Sequence, residues 1–202
     1  MAWILTAVFL SLLALLIVVP LILNAVWQKT QPSGGGKIVF ADPALSADIY
    51  ADEAYMQLDR RIYFSRSYGG YTETERVENE SAGNLSAELQ LLIRLVRAAE
   101  AGDALAYRGC FAKEYLDVSK LPTTFTMQKV YDIVLTSYMT AGTTVPSGYV
   151  SAATYGIRYK IKDNNGSLRE DIGSDCEHEQ FVSVVTNASG ESFIYGVRMI
   201  YS

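Results

Sequence analysis

Tyr155-Gly156-Ile157-Arg158-Tyr159-Lys160-Ile161-Lys162 places Tyr or Ile at every odd position and Gly, Arg or Lys at every even one. Side chains alternate between the two faces of a strand, so this period of two predicts a half-buried strand with an apolar inner face. Asp163-Asn164-Asn165-Gly166 follows, and Asn-Gly is the strongest short hairpin signal. Glu179 to Thr186 reads as a second strand. Asn187-Ala188-Ser189-Gly190 turns the chain again, and Phe193 to Tyr201 alternates Phe, Tyr, Val, Met and Tyr against Ile, Gly, Arg and Ile. Three consecutive hairpin-linked strands predict an antiparallel sheet.

Upstream the period is helical. Leu89, Leu92, Ile93, Val96 and Ala99 share one face of a helix from Leu85 to Ala101, with Asn84 or Ser86 as its cap and Glu88 in its first turn. Gly102 ends this helix, and Asp103 caps a second that runs through Leu105, Tyr107, Phe111 and Tyr115. Thr126 to Met139 brings Val130, Ile133, Val134 and Tyr138 together and predicts a third. Further towards the N-terminus, Tyr55 to Phe64 is rich in β-formers, Ser67-Tyr68-Gly69-Gly70-Tyr71 has the composition of a turn, and Thr72 to Val77 alternates. Residues 38–84 thus predict a hairpin or extended arm, ending in the polar loop Glu78–Asn84. Helices followed by strands describe an α+β domain over 85–202, with helices packed on one face of a curved antiparallel sheet.

The run Leu91-Leu92-Ile93-Arg94-Leu95-Val96-Arg97-Ala98-Ala99-Glu100-Ala101-Gly102-Asp103-Ala104-Leu105-Ala106-Tyr107 resembles the "helix, A-G-D, helix" opening of the NTF2-like (cystatin-like cone) superfamily. The resemblance covers residues 85 to 202. It implies a cone of sheet and helices whose mouth binds a ligand, houses catalysis, or is filled and serves assembly. Members with one N-terminal span include the VirB8-like components of conjugation and secretion machines, which work through protein contacts. The chain carries no motif particular to that subgroup.

From Met1 to Gln28 no side chain is charged, and Trp3 to Val26 is mostly Leu, Ile, Val, Ala and Phe. Roughly 20 apolar residues in a helix cross a ~30 Å hydrocarbon core. Residues 1–28 therefore predict a membrane anchor, with Trp3 and Trp27 at the two interfaces and Pro20 as a tolerated kink. The run exceeds a secretory h-region, no Lys or Arg opens it and no small-x-small cleavage site follows, so a retained anchor is expected over a cleaved signal. Residues 29–37 form a linker, because Pro32-Ser33-Gly34-Gly35-Gly36 resists regular structure. Lys29 and Lys37 after the span lean towards a cytoplasmic domain. The 14 tyrosines, single histidine and acidic Ser/Thr/Gly-rich composition favour an extracytoplasmic one, which is the expectation adopted.

The net charge of −5 argues against a nucleic-acid partner, which needs a basic surface to neutralise phosphates. Cys110 and Cys176 stand in no metal-type spacing; they could form one disulfide or remain buried thiols. The lone histidine sits in Asp175-Cys176-Glu177-His178-Glu179, where strand alternation sends His178 and its glutamates to opposite faces, so a metal site is not expected. Register decides what points inward. If Val184 pairs with Tyr195, then Val182, Gln180 and His178 line the interior; a slip of one residue places Phe181, Ser183 and Glu179 there instead. Tyr155, Tyr159, His178, Glu179 and Tyr195 form the candidate ligand-binding set, with no cofactor, metal or catalytic residue assigned. The expected role is a single-pass, membrane-anchored, non-catalytic interaction or assembly domain of a cell-envelope or secretion complex, working with a protein partner or a second copy. The alternatives are a cone that binds a small apolar ligand and, behind it, an isomerase-like enzyme with Glu179 or His178 as base.

Overall fold

The computed structural model describes residues 38–43, 48–68, 71–138 and 144–199. The predicted anchor, residues 1–28, and linker, 29–37, lie outside them; among the described residues no helix is long and apolar enough to cross a membrane. The strand expected around Tyr155 forms as β4 (Ser151–Lys162), with Tyr155, Ile157, Tyr159 and Ile161 buried on one face. The two that follow are β5 (Gln180–Thr186) and β6 (Ser192–Met199). The arm also forms a hairpin, β1 (Ile62–Tyr68) and β2 (Tyr71–Arg76).

Between hairpin and meander lies β3 (Lys129–Tyr138), where a third helix is expected from the sequence. The cause of the difference is a bulge. The β3–β4 register shifts between Tyr131 and Val134, and Asp132 adopts φ 51°. An extra residue in a strand turns one step of two into a step of three. Val130 and Ile133, both fully buried, thereby imitate helical spacing inside a run of β-formers.

The strands form one sheet in the order β2-β1-β3-β4-β5-β6. All neighbours are antiparallel except β1 and β3. The sheet is therefore mixed, not purely antiparallel as the sequence suggests. After β2 the chain crosses a helical layer and returns beside β1 in the same direction, the connection that a parallel pair needs. That layer is α2 (Ala87–Ala101), α3 (Ala104–Arg108) and α4 (Lys113–Leu116), following the short α1 (Glu53–Met56) near the start of the domain. Ser86 Oγ accepts the Leu89 N–H at the start of α2, and Gly102 ends it with φ 69°. Asp103 Oδ1 accepts the Ala106 N–H to start α3. The expected second helix is thus two short ones, broken at Gly109–Ala112, where Ile194 N–H donates to Cys110 C=O and Ala112 N–H to Ile194 C=O. Leu91, Leu92 and Val96 of α2 close on Ile133, Leu135, Ile157 and Val182 to make the core.

The stretch from Asp48 to Arg60 is fastened to this core at two places. Ile49 and Tyr55 are fully buried, and the Tyr55 hydroxyl lies 3.0 Å from Glu100 Oε1. Glu100, only 4% exposed, also pairs with Arg97 and Arg60, and Arg97 in turn holds Glu80. At the second place Lys129 Nζ donates to Asp52 Oδ2 at 2.6 Å and to Asp163 Oδ2 at 2.8 Å, and Lys162 Nζ donates to the same two oxygens.

These bonds hold both carboxyls below their ordinary range, the Lys129 bond contributing most and the Lys162 bond next. Burial pulls the Lys129 ammonium down, but the carboxylates more than reverse this; Lys162 rises chiefly through Asp163. A depressed acid stabilises the fold above its unfolded value and is lost as pH falls through its folded one; a raised base stabilises below its unfolded value and is lost as pH rises. The unfolded values are 3.8 for Asp and 10.5 for Lys. Limited proteolysis within residues 48–60 should therefore stay constant from about pH 4 to about pH 10 and rise outside that window. A change in cleavage centred near neutrality would show that these four charges do not hold the stretch.

Candidate functional site

β4 runs past the end of β5, since their pairing stops at Ile157 and Gln180. Asn164-Asn165-Gly166 therefore does not close a tight hairpin. Residues 163–179 fold instead into an ordered loop built on Asn164, which is fully buried. Its Nδ2 donates to the carbonyls of Arg169 and Ile172, both at 2.8 Å, and its Oδ1 accepts the Gly166 N–H at 3.0 Å. Gly166 takes φ 71°, and its lack of a β-carbon lets Phe40 lie directly against it. A short side chain with two donors and an acceptor thus does the work of a backbone turn.

The loop carries Arg169 and Asp171 to the edge of a cavity of about 350 Å³ between helices and sheet. Leu95, Tyr107 and Phe111 form its helical wall, and Ile157, Val182 and Val197 its sheet wall. Tyr107 packs against Phe111 and Phe125, each with ring centroids 5.4 Å apart, so this wall is a continuous aromatic layer. Arg169 is 4% exposed and pairs with both oxygens of Asp171, at 2.6 and 2.7 Å. Its third nitrogen lies 3.5 Å from the Tyr159 hydroxyl. Burial works to raise the Asp171 carboxyl, yet the Arg169 bonds and charge, with a small push from nearby His178, hold it below its ordinary value. Burial likewise opposes the Arg169 charge, and Asp171 outweighs it. The pair stays ionised and neutral as a unit, with each charge opposed by the other.

Of the candidate set, Tyr159 comes to this polar end, and His178 lies within electrostatic reach of Asp171. Tyr155 lies in the core, 8% exposed, and burial pushes its hydroxyl up to about 12. Tyr195 stands beside the β5–β6 bulge and meets Tyr149 edge-on at 5.7 Å. Glu179 goes to the opposite face of the sheet, where it covers Gly156 and accepts the Tyr138 hydroxyl at 2.8 Å. The β4–β5 register explains this: Tyr155 pairs with Val182 and Gly156 with Phe181, so Glu179 takes the parity of Phe181 and the face of Gly156. Val184 pairs with Ile194, not Tyr195, because β6 carries Tyr195 as an extra residue there; β5 itself alternates without a break, and Val182 and Val184 face the core. The arrangement that would put Glu179 inside, between sheet and helices, does not form. The disulfide does not form either: Cys110 is a buried free thiol and Cys176 an exposed one.

Among the described residues no group of three or more His, Cys, Asp or Glu side chains is placed to hold a metal ion. Sequence reasoning passes over Arg169 and Asp171. The one available signal is that Arg169-Glu170-Asp171 is bounded by Leu168 and Ile172 inside a stretch that is otherwise polar. Compared with family models, curated proteins and solved structures, the chain shows no match.

Proposed function

We propose that this chain is a membrane-tethered, non-catalytic interaction domain of the NTF2-like cone type, held outside the cytoplasm and serving in a cell-envelope or secretion assembly of VirB8-like kind. The observation that carries the reading is the state of the cavity between helices and sheet. Leu95, Tyr107, Phe111, Ile157, Val182 and Val197 make its helical and sheet walls apolar and aromatic, and at its edge the buried Arg169 and half-buried Asp171 are bonded to each other. A general base or acid needs a proton site poised near the working pH, whereas this pair is held in its ionised form from both sides. The apolar run of residues 1–28 and the glycine linker after it support the tether. The A-G-D turn supports the cone, since Gly102 and Asp103 perform the stop and start that the resemblance implies.

The volume of the cavity favours a second reading, a site for a small, mostly apolar ligand. Pockets for such ligands begin at about 300 Å³. A thermal-shift series with neutral apolar molecules separates the two. The interaction reading expects no saturable rise in melting temperature. A saturable rise that is abolished by Val182→Trp, which fills the cavity, would replace it with the ligand reading.

A further inference from the structure

β2 is an edge strand, and all six of its residues are exposed. The bond from Val77 N–H to Ile62 C=O fixes the parity of its ladder with β1. Main-chain groups of Tyr71, Glu73 and Glu75 point to β1, and those of Thr72, Thr74 and Arg76 point to the open edge. An open edge is a template for another strand.

A second copy of this chain fits that template poorly. Antiparallel pairing sets outward residues opposite outward residues, so the allowed registers are limited. Only two overlap more than three residues of β2 with its copy. With Thr74 opposite Thr74, each Glu73 faces a Glu75; with Thr72 opposite Thr74, Glu73 faces Glu73. These are non-hydrogen-bonded positions, where side chains approach most closely and like charges destabilise. Glu75 is joined to Arg66 at 2.8 Å, but among the described residues Glu73 has no ion-pair partner.

The same pattern suits a different strand. Tyr71, Glu73 and Glu75 project from one face, and Tyr71 is 82% exposed. A segment with Lys or Arg at every second residue would place cations opposite both glutamates and one near the Tyr71 ring. We propose that β2 accepts, by main-chain pairing, an extended segment of a partner protein with Lys or Arg at alternate positions. This rests on the interaction reading above and names its surface and the chemistry of its partner.

The test uses full-length protein in a mild detergent and a labelled, end-capped peptide of about eight residues alternating Thr and Lys. An alternating Thr–Glu peptide is the control, and binding is read by fluorescence anisotropy. The Thr–Lys peptide should bind at least about tenfold more tightly than the control. Glu73→Lys with Glu75→Lys should reverse that preference. Thr74→Pro removes one outward N–H and should weaken the Thr–Lys peptide by a similar factor. Absence of Thr–Lys binding, equal binding of the two peptides, or unchanged binding to both variants would overturn the proposal. If the protein still sits in a larger assembly in its membrane, such a failure removes the surface and leaves the interaction reading standing.

Discussion

Replacing Glu100 by Ala lowers the unfolding free energy by about 3–5 kcal/mol, the range for removing one partner of a buried charge pair. The size follows from what the carboxylate holds. Glu100 is 4% exposed, and it binds Arg97, Arg60 and the hydroxyl of fully buried Tyr55. Its loss leaves Arg97 paired only to Glu80 and leaves the Tyr55 hydroxyl with the Val130 carbonyl at 3.1 Å as its remaining acceptor. Glu100→Gln keeps an acceptor for the hydroxyl and should cost visibly less. Chemical denaturation of the three proteins gives the comparison; equal stability of Glu100→Ala and wild type would show that the N-terminal stretch is not held by this network.

Gly102→Ala should cost about 2–5 kcal/mol, from two independent sources. Its φ of 69° costs an L residue about 1–2 kcal/mol. A β-carbon would also stand 2.6 Å from Met127 N and 2.9 Å from Thr126 C, both backbone, so the lead-in to β3 must move. Overpacking of that kind adds about 1–3 kcal/mol. The glycine of the A-G-D turn therefore serves two ends, terminating α2 and admitting the chain that enters the sheet. A loss well under 1 kcal/mol would mean that the turn relaxes freely, contrary to this packing.

What could be read from the sequence was what has a regular period. α2, β4 and both turns flanking Gly102 followed from spacing and capping residues alone, and so did the β1–β2 hairpin. The irregular positions were the ones that misled. One bulged residue, Asp132, made a strand look helical, and a second bulge, at Tyr195 of β6, breaks the alternation that the last strand shows in sequence. Asn-Gly suggested a tight hairpin where a buried Asn164 instead organises a long loop. The parallel pairing of β1 with β3 has no local signature, since it depends on where a crossover returns the chain. The Arg169–Asp171 pair was hidden for the same reason: the burial of Arg169 is a property of the loop's path, not of its neighbours in sequence.

On the proposed function, the domain works by contact with other proteins from a membrane tether. The most direct measurement is the mass of the native particle, taken by mass photometry after gentle detergent extraction of the full-length protein from its own membranes. One chain weighs 22.3 kDa. A reproducible particle well above that mass plus its detergent, with a fixed protein composition, is the predicted result. Release of the protein without detergent, or a particle holding a single chain and nothing else, would contradict it.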